Sequence, residues 1–159
     1  MDSCNDFSPP CRSAEPVEAK VRGIIARQPF MALLGATVTR VAPGEVEILM
    51  PWRPDLTQHT GALHAGAVTA IVDSACGAAA ATMMPEGKEV VSVEFKINLL
   101  APAVGDYLRT VGRVVRSGRT LTVCSGEVWV INGDESRIVA VMQATMMAVT
   151  SNASSQLEN

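Results

Sequence analysis

Hydrophobic positions along this chain recur with two periods, and the change between them divides the sequence. After Pro16, a residue suited to a first helical turn, Val17, Val21, Ile24 and Ile25 recur at one-face helical spacing. That helix is expected to stop near Pro29. Two short strands, Thr37 to Val41 and Val46 to Met50, flank the turn signal Ala42-Pro43-Gly44-Glu45. Trp52 to Thr60 reads as a loop, because Pro51 and Pro54 resist regular structure. Gly66 to Met84 then forms a helix of alanine, valine, isoleucine and methionine, closed by Pro85-Glu86-Gly87. It is apolar on most of its circumference, so it must be covered on nearly all sides.

Beyond Gly87 the period falls to two. Val91, Val93, Phe95, Ile97 and Leu99 alternate with Ser92, Glu94, Lys96 and Asn98, the pattern of a half-buried strand. Ala101-Pro102 and Gly105-Asp106 close it. Tyr107 to Val115, Leu121 to Ile131 and Ile138 to Val149 are three more strands. Arg116-Ser117-Gly118-Arg119 and Asn132-Gly133-Asp134-Glu135 join them as hairpins. The expected second half is a four-strand antiparallel meander, and the expected class is α+β, a long antiparallel sheet wrapped around one central helix. Such a sheet leaves open edges, and edge-to-edge association of two subunits is the expected remedy.

Composition narrows the function classes. The 159 residues suit a single domain over 14–150, with 1–13 and 151–159 expected as disordered tails. A net charge of −3 offers no basic excess for nucleic acid. Arg109, Arg113, Arg116 and Arg119 are clustered, which reads as a solvated strand face or as a contact for a phosphate-bearing small molecule. The opening MDSCNDFSPPCRSAEP lacks the basic and apolar runs of a signal peptide, and Asp73 interrupts the longest apolar stretch. The expectation is a cytoplasmic protein with no membrane contact. Four cysteines without a CxxC pair, and two histidines, leave no zinc pattern; Cys76 and Cys124 read as small core residues.

Chemistry concentrates in QHTGALHAGAVTAIVDSACGAAAATMM, Gln58 to Met84. The chain contains no GxSxG, glycine-rich phosphate loop, HExxH or paired catalytic cysteine. The polar groups in apolar context are Gln58, His59, His64, Asp73, Ser74 and Ser92. Aspartate is a poor helix former that is rarely buried alone, so Asp73 either faces an open stripe or serves as base or nucleophile. His64 either fixes the turn before the helix or contacts a ligand. The N–H groups of Ala65 and Gly66 lie at a helix start, where unpaired donors and the dipole favour a developing oxyanion such as that of a thioester carbonyl.

These residues, taken in order, resemble a family. His64-Ala65-Gly66, Asp73 nine residues after the histidine, the alanine-rich helix, the strand Val91 to Asn98 with Leu100-Ala101-Pro102, and Arg116-Ser117-Gly118-Arg119-Thr120 look like the hotdog-fold thioesterases of the phenylacetate-degradation (PaaI-type) group. The resemblance runs from about Pro29 to Thr150. It implies a hotdog fold and hydrolysis of acyl-coenzyme A thioesters, medium-chain or aromatic, at sites between two subunits of a homodimer or homotetramer. Coenzyme A would be part of the substrate, with no separate cofactor and no metal. Asp73 would be the general base or nucleophile, and the Ala65 N–H the oxyanion hole. Gln58 would stand beside the attacking water or the carbonyl, His64 would support the loop or touch the thioester, and Ser92 would help place water. Gly66, Ser117, Gly118, Arg119 and Thr120 would meet the substrate or its coenzyme A portion, and Met83, Met84 and Leu56 would line the acyl pocket. Ala65 departs from the family, where many members carry glycine; the donor survives, but the methyl narrows the approach. Two other readings are a non-catalytic acyl-CoA-binding module of the same fold and a hotdog dehydratase or hydratase.

Overall fold

The computed structural model describes residues 14–150; the expected tails lie outside the described residues. Helix α1 (Ala14–Ala26) and a short α2 (Pro29–Leu34) precede strands β1 (Thr37–Ala42) and β2 (Glu45–Pro51). A single 3-10 turn, Pro54–Leu56, interrupts the loop that leads into α3 (Ala65–Met83). Strands β3 (Lys88–Leu99), β4 (Tyr107–Ser117), β5 (Leu121–Asn132) and β6 (Glu135–Thr150) complete the chain. The six strands form one antiparallel sheet in the order β1-β2-β4-β5-β6-β3. It curls around α3, the sheet-and-helix arrangement expected of a hotdog fold.

Two features differ from the expectation. The four-strand meander is not formed: only β4, β5 and β6 follow one another, while β3 pairs with the far side of β6 and β2 takes the place beside β4. Residues 100–106 are therefore a crossing connection rather than a hairpin. Leu100 N–H is held by Val139 O at one side of the sheet, and Asp106 N–H by Ile131 O nearer the other. Alternation marks a strand but not its neighbour, which is why the pattern concealed this. The second feature is α2, hidden in the sequence by its length of six residues. Pro29 starts it, and Gly35 ends it in the left-handed region at φ 69°.

Helix α3 buries twelve residues, among them Ile71, Val72, Ala75, Cys76 and every residue from Gly77 to Thr82. Beneath it lie Val46, Ile48 and Met50 of β2, Leu108 of β4, Val128 of β5 and Met142 and Met146 of β6. By length and hydropathy alone α3 could span a bilayer, a point the interruption at Asp73 obscures; here 61% of its apolar eighteen-residue window is buried inside the protein. Its approach to the sheet is set by two glycines paired across β4 and β5, Gly112 and Gly126. A Cβ on Gly112 would stand 2.4 Å from the Ala75 carbonyl carbon and oxygen, and one on Gly126 would stand 2.3 Å from Val72. The helix backbone thus rests on bare sheet.

Helix α1 covers the C-terminal half of α3. Val21 and Ile25 are buried, each such side chain contributing about 1.5–3 kcal/mol, and Lys20 Nζ donates to Ala81 O at 3.2 Å. The N-terminal half keeps an open stripe at Gly66, Thr69, Ala70, Asp73 and Ser74, spaced as one helical face. Asp73 sits on that stripe, so its charge never enters the core.

Relief of the Gly112 contact would require moving helix backbone, not rotating a side chain. Gly112→Ala is expected to lower stability by about 2 kcal/mol or more, measured as a drop in the urea midpoint at unchanged slope.

Candidate active site

Strand β3 carries the feature that organises the site. Its ladder with β6 shifts between Ser92 and Glu94, so Val93 is an extra, bulged residue. Directly opposed residues share a face, and Met146, Ala144, Met142 and Ala140 of β6 are buried against α3. Their partners Ser92, Phe95, Ile97 and Leu99 therefore face the helix, whereas Val91 lies on the opposite face. The uninterrupted alternation expected from Val91 to Leu99 is thus broken at the bulge, and it is Ser92, not Val91, that points inward.

Ser92 meets Asp73 there. Ser92 Oγ donates to Asp73 Oδ1 at 2.8 Å, a bond that fixes the carboxylate and leaves Oδ2 without a partner among the described residues. The pair opens into a cavity of about 150 Å³ also walled by Ile24, Gln28, Gly77 and Val90. Sequence reasoning missed Ile24 and Gln28: nothing local to α1 says that it crosses α3 beside Asp73.

The other expected residues gather at the start of α3. His64 is its N-cap, and His64 Nδ1 accepts from Gly66 N–H at 2.8 Å. The turn-fixing reading of His64 thus matches its geometry, and the expectation of two open donors is corrected, because the Gly66 N–H is occupied. The His64 carbonyl accepts from Ala67 and Val68. Among the described residues the Ala65 N–H has no acceptor, which leaves it as the open donor at the positive end of the helix. Gln58, held by Nε2 donating to Thr60 Oγ1 at 3.0 Å, lines a cleft of about 530 Å³ with Ala65, Val68, Leu99, Pro102 and Val139.

One chain therefore presents two half-sites. Ala65 and Asp73 are eight residues apart, about 12 Å along the axis, too far to act on one carbonyl. The turn Ser117-Gly118-Arg119-Thr120 is farther still. It closes the β4–β5 hairpin, with Gly118 N–H on Leu121 O, at the end of the sheet beside the C-terminus of α3, where Gly44 N–H bonds to Thr82 and Val114 N–H to Gly44 O. Of the expected acyl-pocket residues, Met84 is buried in the core, Leu56 packs against it and Met83 is exposed beside Gly44. None of the three lines either cavity.

The arginine cluster divides. Arg109 binds Glu47 at 2.7 Å, and Arg113 binds Glu45 at 2.7 Å and Glu127 at 3.2 Å, a ladder on the outer face of the sheet. Arg116 and Arg119 are exposed, with no carboxylate partner among the described residues. Cys76 and Cys124 are buried. Burial pushes the Cys124 thiol up to about 11, and it raises Cys76 further, with Cys124 and Asp73 adding to the shift. Neither thiol is a nucleophile at neutral pH. Among the described residues no group of three or more His, Cys, Asp and Glu side chains converges.

Comparison with known proteins bears on this arrangement. The sequence model of the thioesterase superfamily matches residues 60–136, from the loop before α3 to the start of β6. A solved thioesterase family protein from Silicibacter pomeroyi is 46% identical, covering 85% of this chain and 99% of its own, with a TM-score of 0.83. The PaaI protein of the Escherichia coli phenylacetic acid degradation operon shares the fold at a TM-score of 0.76 and 18% identity, covering 86% of this chain and 95% of its own. A Halobacterium salinarum protein provisionally named an esterase is 27% identical over 69% of this chain and 76% of its own.

The His64 cap can be separated from any contact with a ligand. Removing it as His64→Ala should cost about 1 kcal/mol in urea unfolding, and His64→Asn should retain most of that stability.

Proposed function

The chain belongs to the thioesterase superfamily, and on that premise we propose that it hydrolyses acyl-CoA thioesters at a site completed by two subunits. The observation that carries this reading is the pair of half-sites. One contains a carboxylate oriented by a serine, the other an open helix N-terminal donor beside a glutamine, and neither suffices alone.

The free edge supplies the means of joining them. Strand β3 is an edge of the sheet, twelve residues long, with Val91, Val93, Phe95 and Leu99 exposed. Long apolar edges of this kind seek a strand. Two copies pairing β3 to β3 about a two-fold axis would run antiparallel, setting the start of one α3 beside the later turns of the other. Asp73 and Ser92 of one subunit would then approach the partner subunit's Ala65 and the partner subunit's Gln58. The Ser117–Thr120 turn, held to β6 by Ala148 N–H on Thr120 O, would approach from the Asp73 subunit and offer Arg119 to the coenzyme A phosphates. A homodimer is thus the minimal active species, and two such dimers would make the homotetramer.

In this arrangement the thioester carbonyl accepts from the Ala65 N–H. Asp73 Oδ2 takes a proton from a water held with Ser92, and that water adds to the carbonyl carbon. The tetrahedral oxyanion is stabilised at the helix start, where a preorganised donor strengthens as charge develops. Collapse breaks the carbon–sulfur bond. Coenzyme A leaves with the proton from Asp73, and the carboxylic acid remains. Gln58 orients the carbonyl or the water, and Gly66, without a side chain, lets the substrate approach.

Asp73→Asn should lower kcat/KM on a broad acyl-CoA panel by about 10²–10⁴-fold while acyl-CoA binding persists. A wild-type protein that binds but never hydrolyses would favour the binding-module reading, and conversion of an enoyl-CoA or hydroxyacyl-CoA without thiol release would favour a hydratase or dehydratase. Shared sites make a further prediction. Co-expressed Asp73→Asn and Gln58→Ala chains should form mixed dimers with one intact site, regaining about half of wild-type activity per dimer. No recovery in an isolated mixed dimer would place both residues in one chain's site.

A further inference from the structure

Beyond the reacting atoms, the cavity at Asp73 has a far wall that belongs to neither α3 nor the sheet. It is built by the junction of α1 and α2, through Ile24 and Gln28. The junction is held firmly: Arg27 N–H donates to Gly23 O at 3.2 Å, Gln28 N–H to Ile25 O at 3.1 Å, and Ala32 N–H to Gln28 O at 3.2 Å. Gln28 occupies the N-cap position of α2, yet its side chain makes no capping hydrogen bond. The backbone of Gln28 is therefore occupied, and its amide, without a partner among the described residues, stands half-buried in the cavity that Asp73 lines.

The rest of the lining decides which part of a substrate belongs there. No lysine or arginine lines the cavity, and the ammonium of Lys20, one turn before Ile24, is committed to Ala81 O farther along α3. A nucleotide or phosphate would find no counter-charge. The size is also wrong for coenzyme A: a cavity of about 150 Å³ takes a group the size of benzene. Gly77 and Ala78 keep the α3 side open, while Ile24 closes it. Near the far wall the polar groups are the Gln28 amide and the Ser74 hydroxyl, both on the lining. An amide on the wall of a small pocket is matched by an oxygen on the ligand, because a ligand filling the pocket would otherwise strip water from the amide and leave it unpaired.

Resting on the thioesterase reading, we propose that Gln28 and Ile24 select the acyl group, Gln28 by hydrogen-bonding a hydroxyl or keto oxygen at its far end and Ile24 by limiting its length. The favoured substrates are short acyl groups bearing such an oxygen, no longer than a six-carbon chain or a single ring. Gln28 is a specificity residue: it touches the acyl group and moves no proton in the reaction.

The test compares acyl-CoA pairs with one skeleton, with and without a terminal hydroxyl: hexanoyl with 6-hydroxyhexanoyl, and butyryl with 4-hydroxybutyryl. Wild type should favour the hydroxylated member in kcat/KM, and Gln28→Met, similar in length but unable to donate or accept strongly, should reduce that ratio about tenfold. Ile24→Ala should move the preferred length upward by two or more carbons. A Gln28→Met effect shared equally by both members, or a wild type indifferent to the hydroxyl, would overturn the proposal. The same pairs titrated calorimetrically into Asp73→Asn and into the Asp73→Asn, Gln28→Met double variant separate the two claims. If wild type hydrolyses nothing but the binding ratio still falls with Gln28→Met, acyl selection stands and hydrolysis is lost. If neither pair member binds, both are lost.

Discussion

The contact of the α3 backbone with the side-chain-free surface at Gly112 and Gly126 governs this molecule. A nineteen-residue helix that is apolar nearly all round can be stable in water only if something encloses it. A sheet achieves this by curling, and curling works only if the helix sits close to the strands. The glycine pair permits that approach under Ala75 and Val72. Asp73, one turn before Cys76, is thereby carried to a fixed height above β3. The bond to Ser92 follows from that height together with the bulge at Val93. Packing and chemistry are not separable here: the contact that closes the core also sets the position of the carboxylate.

Coverage of α3 is also unequal along its length, and that inequality decides which of its polar groups stay open. From Ala75 to Thr82 the sheet and α1 bury every residue of the helix. Before that point a stripe of small and polar residues stays open. A carboxylate could be tolerated on that stripe at low cost, and a ligand could reach it. The same half of the helix ends in the Ala65 donor, kept open because the His64 side chain bonds to the next N–H along. An alanine at this position changes the steric approach to the donor without removing the donor, since the group that matters is main chain.

Much of the architecture was legible in the sequence because it is periodic. The central helix, all six strands and both hairpins of the second half left unmistakable spacing signals, and their observed bounds lie within a few residues of the expected ones. Strand order was not legible, because Val91 to Leu99 would alternate identically whether it paired with β4 or β6. The bulge was worse than silent. Val93 preserves the written alternation of apolar residues while reversing the faces on which they fall. Among candidate site residues, Asp73, His64 and Ala65 could be found from local context, since each disturbs or begins a helix. Gln28 and Ile24 could not, as their relevance depends on where α1 lies against α3. Met83 and Met84 look alike in the sequence, yet Met84 packs the core and Met83 stands exposed, because direction at a helix end is not written in residue type.

The bulge has one more consequence, for what the exposed edge of the sheet will accept. Remove Val93, and Ser92, Glu94 and Phe95 would continue in unbroken alternation with every face preserved, leaving a straight and regular edge. Such an edge is an indiscriminate template, open to any extended peptide that drifts by. With Val93 in place the edge is kinked and more strongly twisted at one point, and an arriving strand must conform to that kink over its whole length. A copy of the same strand brings the same irregularity by symmetry, whereas an arbitrary segment does not. One surplus residue thus sets a condition that any strand joining this edge must meet.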